Sequence, residues 1–372
     1  MIAIDGRHIG DWWKSIDRTL LFVVLSLISV GLILSLAASP AATVRLHISD
    51  PFYFLYRQGF FAALSILVLI GVSSLDQRNV RRLCALTLLG SLGLIVITVL
   101  MGHEAGGASR WLRVGGFSLQ PSEFLKPSLI VIASWLFSEA RNGAPIPGRL
   151  IAFGLYLTSV ALLMMQPDFG QSILITLVFG GVFFIAGIGW RWVAGLTATT
   201  VAGVTFAWMF LPYVATRVER FLNPDAGETY QTDTAIAAIS RGGLMGVGPG
   251  EGTIKRLLPD SHTDFIFSVA AEEFGLMASL AIIGLLAILV ARAWMNALKL
   301  TDHFAQLAVT GLALQFALQS VINIAVNLDL IPPKGMTLPF ISYGGSSMLA
   351  LALGAGLMLA LTRRRPGAYL RA

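Results

Sequence analysis

The chain has 372 residues, of which 56% are hydrophobic and only 12% charged, with a mean hydropathy of +0.77. That balance excludes an ordinary water-soluble globule and points to an integral membrane protein. The net charge of +6 would suggest nucleic acid in a soluble chain; here it must first be sorted by loop, because basic residues favour the cytoplasmic side of a membrane.

Apolar runs of a length that crosses a bilayer, roughly 17–25 residues, fall near 19–39, 54–74, 83–101, 124–138, 150–166, 171–189, 192–211, 265–291, 304–326 and 342–362. They predict an all-α polytopic bundle of about ten transmembrane helices, a single membrane domain spanning 1–372. With the amino terminus inside, Arg7, Lys14, Arg18, Arg78, Arg81, Arg82, Arg141, Arg149, Arg191, Arg292, Lys299, Arg363, Arg364, Arg365 and Arg371, 15 of the 26 basic residues, share its side, which places the amino terminus (1–18) and the carboxyl terminus (363–372) in the cytoplasm. The large extracytoplasmic loop falls between helices 7 and 8, over 212–263. The single cysteine, Cys84, lies in an apolar run and excludes an intramolecular disulfide or a cysteine-cluster metal site.

In chain order, Trp12 and Trp13 suit a membrane interface, and the first apolar run reads as a retained anchor, although Ser35 to Ser39 also resembles a cleavage site. After the third span, glycines punctuate an outer segment that ends at Pro121, a residue suited to the first turn of a helix. From there Glu123 and Lys126 stand three residues apart on one helix face, where the fourth span enters the membrane. Such a pair is either a structural ion pair or part of a site, and the two roles are compatible. Asp168, in the short turn joining the fifth and sixth spans, is a functional candidate or simply a helix start.

Within the large loop, Tyr230 to Ser240 predicts a short helix suited to the interface, and the glycines of 242–252 read as irregular turn rather than a phosphate loop. The segment Leu258-Pro259-Asp260-Ser261-His262-Thr263-Asp264-Phe265 then brings an imidazole and carboxylates to the start of an apolar helix. Asp264, with its proton affinity tuned by burial or by nearby cations, is the candidate general base. Glu272 is expected about 12 Å deeper at ~1.5 Å per residue, with Glu273 on the opposite side, and at least one of the two should have a partner. In the ninth span Gln315, Gln319, Asn323 and Asn327 recur every four residues, an amide stripe that must face protein or a wet groove rather than lipid.

These stretches also carry a family likeness. Gly107-Ala108-Ser109-Arg110-Trp111, Gln120-Pro121-Ser122-Glu123-Phe124-Leu125-Lys126, Gln166-Pro167-Asp168-Phe169-Gly170, the acidic motif with Glu272-Glu273-Phe274-Gly275, and Lys334-Gly335-Met336-Thr337-Leu338-Pro339-Phe340-Ile341-Ser342-Tyr343-Gly344-Gly345 resemble the SEDS family (shape, elongation, division and sporulation) in order and spacing. The last motif resembles the division branch (FtsW) more than the elongation branch (RodA). Pro332-Pro333 and Thr229 depart from the pattern but lie outside the acidic motif.

The resemblance implies an inverting peptidoglycan glycosyltransferase of the bacterial inner membrane that polymerises lipid II at the septum beside a class B penicillin-binding protein of the FtsI type and other division proteins. It puts the catalytic carboxylate at Asp264 and supporting substrate-binding roles at Arg110, Glu123, Lys126, His262 and Asp168. Arg110, Lys126 or a divalent cation such as Mg or Mn would neutralise the leaving pyrophosphate. The rival reading is a lipid II flippase, which would need its charged groups at several depths of the membrane.

Overall fold

The structure is a computed structural model that describes residues 6–101, 103–105, 108–114, 117–187, 230–333 and 335–364, with single residues or pairs between 189 and 215. The expected seventh span (192–211) lies largely outside the described residues, as do 212–229, Lys334 and the tail from Arg365.

The helices are α1 (Gly6–Ser15), α2 (Arg18–Arg45), α3 (Tyr53–Ser73), α4 (Gln77–Met101), α5 (Pro121–Arg141), α6 (Gly148–Met165), α7 (Phe169–Ile185), α8 (Tyr230–Gly242), α9 (Ile266–Leu298), α10 (His303–Asn327) and α11 (Gly345–Leu361). Among the described residues α2, α3, α4, α6, α9 and α10 are long and apolar enough to cross a membrane, and α7 and α11 are shorter apolar helices. Two differences from the sequence reading stand out. The first span does not end at Pro40 but runs through it to Arg45; beyond the proline the Thr43 hydroxyl donates back to the carbonyls of Ser39 and Pro40. The glycine-punctuated segment before Pro121, for which no strand was predicted, is a small antiparallel sheet in the order β1 (His103–Ala105), β2 (Ala108–Val114), β3 (Phe117–Leu119). Its glycines obscured the short alternating runs.

Three helices form the middle of the bundle. α5, α10 and α11 are buried along most of their length; α10 packs against α5, α7 and α9, and α11 against α3 and α5. Small residues at Ser346, Ala350 and Gly354 of α11 permit that closeness. The helix ends are locked by polar side chains. Asp17 caps α2 through the Leu20 amide at 2.9 Å, and its other oxygen takes Arg292 and Asn296 of α9 at 2.8 and 2.9 Å. Asp302 caps α10 and accepts from Gln77 at the start of α4.

On the side where the large loop returns to the bundle, α8 lies on the first part of α9. α9 is broken at Gly275, whose φ of 77° only glycine adopts easily. Across the break the loop pairs with the helix backbone: Val247 and Gly248 donate to the carbonyls of Glu272 and Glu273, and Leu276 donates to that of Gly243. The approach is so close that a Cβ on Gly242 would sit 1.8 Å from the Ala271 oxygen. Gly242→Ala is therefore expected to destabilise the protein by about 1–3 kcal/mol, the usual cost of overpacking, read as a lowered unfolding midpoint of the detergent-solubilised protein.

Candidate active site

Asp264 lies two residues before α9, in a turn built on Asp260. Asp260 adopts a left-handed conformation (φ 51°), and its carbonyl accepts the amides of Thr263 at 3.0 Å and Phe265 at 3.3 Å. The next helix therefore starts at Ile266, with Asp264 on its shoulder. The Asp264 backbone carbonyl is fixed by two side chains of α10: Asn323 Nδ2 and Asn327 Nδ2 each donate to it at 2.9 Å. Its carboxylate accepts no hydrogen bond among the described residues. Oδ2 faces Gly335, where even a methyl group would stand only 3.6 Å away. Burial, and secondly the nearby charge of Asp260, push the Asp264 carboxyl up to about 7.

His262 belongs to the same turn. Its carbonyl accepts the Tyr343 amide at 2.9 Å, and its ring stands 4.3 Å from that of Phe54 and 5.5 Å from that of Tyr343. Burial pulls the imidazole down to about 4, against a smaller opposing effect of Asp260, so the ring is neutral at pH 7. As placed it packs the turn between α3 and the segment that leads into α11.

A second polar cluster joins α5, α7 and α10. Pro121 takes the first turn of α5, as expected, and Glu123 and Lys126 are 4% and 2% exposed. Lys126 Nζ donates to Glu123 Oε2 at 2.9 Å, and Gln171 Nε2 donates to Glu123 Oε1 at 2.8 Å. Lys126 also reaches Gln319 Oε1 at 3.5 Å. Asp168 caps α7, its Oδ1 3.4 Å from the Gln171 amide, so the helix-start role is present. Arg110, on β2, donates to the carbonyls of Gln166 and Pro167 and stands 3.8 Å from Asp168 Oδ1. Burial raises the Asp168 carboxyl, with Arg110 opposing. Four of the predicted site residues, Arg110, Glu123, Lys126 and Asp168, are thus one network, and Asp264 and His262 are another.

α10 links the two. Gln319 offers its oxygen to Lys126 and its NH2 to the Thr337 carbonyl at 3.0 Å, while Asn323 also donates to the Met336 carbonyl at 2.6 Å. The amide stripe faces protein, in helix-to-helix and helix-to-loop bonding. Gln315, one turn deeper, lines with Lys126 a small, largely apolar cavity between α5 and α7.

Glu273 requires a correction. It was expected on the face opposite the Asp264 side, yet both glutamates meet the segment 252–255. Glu272 accepts the backbone amides of Thr253, Ile254 and Lys255 at 2.8–2.9 Å, and Glu273 pairs with Lys255, whose ammonium also reaches the Ala37 carbonyl of α2 at 2.8 Å. Adjacent helix positions are only about 100° apart, and the loop wraps round that arc. The sequence reading also missed Gln171, Gln166 and Gly335, which carry no charge and no periodicity to draw notice. Among the described residues no group of three or more His, Cys, Asp or Glu side chains is placed to hold a metal ion.

A bundle of apolar helices with a half-buried carboxylate and buried ion pairs where the connecting segments meet it defines a multi-pass membrane protein with a built polar site. The chain belongs to the cell cycle protein family that groups FtsW, RodA and SpoVE, whose sequence profile matches residues 18–366. It is 50% identical over 365 residues, 98% of this chain and 94% of the relative, to a probable peptidoglycan glycosyltransferase FtsW of Caulobacter vibrioides. A protein of the same description from Trichlorobacter lovleyi is 34% identical, with 92% of each chain covered. Among solved structures, a chain from a study of polymerisation and crosslinking by a peptidoglycan synthase complex superimposes with a TM-score of 0.76 at 30% identity, covering 93% of this chain and 97% of that one. The rod shape determining protein RodA of Thermus thermophilus superimposes with a TM-score of 0.69 at 29% identity, covering 94% and 97%.

The buried pair on α5 yields a stability test. Lys126→Ala leaves the Glu123 carboxylate buried without its cation and is expected to cost about 3–5 kcal/mol. Adding Glu123→Gln should recover much of that loss, measured by thermal unfolding in detergent.

Proposed function

We propose that the protein is a peptidoglycan glycosyltransferase that polymerises lipid II, with Asp264 as its general base. The observation that carries this reading is one carboxylate at the head of α9, held by its backbone, accepting no hydrogen bond among the described residues and with its proton affinity raised to about 7. A base works best when its pKa lies near the operating pH. The glycosyltransferase description of the relatives that match almost the whole chain supports the same chemistry over a flippase.

In the reaction the acceptor sugar's 4-hydroxyl gives its proton to Asp264 as its oxygen bonds to the anomeric carbon of the donor. The bond from that carbon to the lipid-linked pyrophosphate breaks, and the pyrophosphate leaves with the electron pair. One displacement inverts the anomeric centre. Arg110 is the site cation on the outer sheet; its charge faces carbonyl groups and the Asp168 carboxylate, and it serves the leaving pyrophosphate. Lys126, spent on Glu123 and Gln319, acts by holding α5 and α10 in register, with Glu123 and Asp168 as its supports, and His262 shapes the turn. A divalent cation would arrive on the substrate's pyrophosphate and supply charge neutralisation there.

The reading extends to biology. The whole chain acts as one membrane domain of the bacterial inner membrane with both termini cytoplasmic, at the septum, beside a class B penicillin-binding protein of the FtsI type. The stronger match to FtsW-described relatives supports the division branch.

Glycan synthesis from purified lipid II, with a candidate class B partner present, tests the proposal. Wild type should make polymer and Asp264→Asn none; polymer from both removes Asp264 from the base role. The base must be ionised, so the rate should rise with pH through about 7, where Asp264 titrates. Asp260→Asn removes the charge that helps raise it, and should move that rise to lower pH. An unmoved rise in Asp260→Asn would show that another group sets it.

A further inference from the structure

The α10 carboxamides do more than fill a helix contact. Asn323 is 1% exposed and Asn327 fully buried. Each donates to the Asp264 carbonyl at 2.9 Å. Asn327 is itself locked: its Oδ1 accepts the Ser268 amide at 3.1 Å and the Ser268 hydroxyl at 2.7 Å, and its Nδ2 also donates to the Asn323 carbonyl at 2.9 Å. Asn323 in turn donates to the Met336 carbonyl, next to Gly335, the residue that faces Asp264 Oδ2. One side chain therefore sets the distance between the acid and the wall opposite it. A carbonyl that accepts two buried donors has little freedom, and neither does the Asp264 Cα bonded to it.

We propose that Asn323 and Asn327 are positioning residues for Asp264, holding its backbone so that the carboxylate stands against Gly335 rather than turning out to water. The inference rests on the base role given to Asp264 above. Helix-to-helix bonding alone does not require that both amides converge on the carbonyl of the candidate base, nor that one of them also bind the segment facing its carboxylate.

The test uses the full chain in lipid nanodiscs with its class B partner, comparing Asn323→Leu and Asn327→Leu with wild type and with Ser268→Ala. Leucine keeps the branch at Cγ and removes the donors. Ser268→Ala removes a bond to Asn327 while leaving both donors to Asp264. Two quantities are read: kcat and KM for lipid II, and the titration midpoint of the Asp264 carboxyl, followed by 13C NMR and assigned by its absence in Asp264→Asn. The described titratable groups around that carboxyl are Asp260 and His262 on its own loop and Tyr343 on the segment before α11; α10 brings only carboxamides.

Each leucine variant should lose about 10- to 100-fold in kcat, the scale of a displacement of around 1 Å, with KM within about twofold. The midpoint should fall by about a unit as water reaches the carboxylate, and Ser268→Ala, in which the Ser268 amide still holds Asn327 Oδ1, should change much less in both. Wild-type kcat and midpoint in a folded Asn323→Leu would overturn the proposal, as would an equal loss in Ser268→Ala. Should Asn327→Leu fail to fold, Asn323→Leu decides. A wild type that makes no polymer would count against the polymerase reading, while the midpoints would still settle the positioning.

Discussion

Polar groups buried among apolar helices have no water to fall back on, so each must find its partner inside the protein, and this constraint organises the molecule around α10. Its carboxamides face three neighbours in succession: Gln319 meets the Lys126 ammonium of α5, Asn323 meets the 335–337 segment, and Asn323 with Asn327 meets the shoulder of α9. A carboxamide suits this work because it donates and accepts without charge. A carboxylate at the same place would be repelled by the carbonyls, and an apolar side chain would leave them unsatisfied at a cost of roughly 1–3 kcal/mol each.

The charged pairs obey the same constraint at the two ends of the bundle. Glu272 gathers three successive backbone amides, an arrangement that suits an anion. Glu273 and Lys255 neutralise each other and reach α2 through the Ala37 carbonyl. These contacts are structural and fix the returning loop on α9 immediately before the acidic turn. At the other end Asp17 joins α2 to α9 through Arg292 and Asn296. α9 is thus pinned to α2 at both ends, with its break at Gly275 between them. Asp264 differs from all of these carboxylates: among the described residues it alone combines a fixed backbone, an unpaired acid group and a proton affinity near neutrality.

Much of this was legible in the residues. Hydropathy located α2 to α7 and α9 to α11 but not the polar α1, because a span must be apolar over a set length, and the four-residue recurrence from Gln315 to Asn327 marked the interior face of α10. Spacing alone brought Glu123 and Lys126 together. What was not legible depended on contacts distant in sequence. Nothing near Gln171 announces that it binds Glu123, 48 positions away. Helical geometry separated Glu272 from Glu273, while the loop that reaches both was invisible to it. The β1–β3 sheet was hidden by strands of three to seven residues, too short for alternation to register. Gly335 matters for its left-handed backbone (φ 64°), set against Asp264 Oδ2.

If Asp264 is a base and not a binding group, its loss should separate recognition from chemistry. The measurement is the affinity of the Asp264→Asn protein for lipid II in nanodiscs, set beside that of wild type. The account predicts an affinity within about twofold of wild type, since removing a group that acts only in the transition state leaves ground-state binding in place. A large loss of lipid II binding in Asp264→Asn would contradict it and make the carboxylate part of the binding surface.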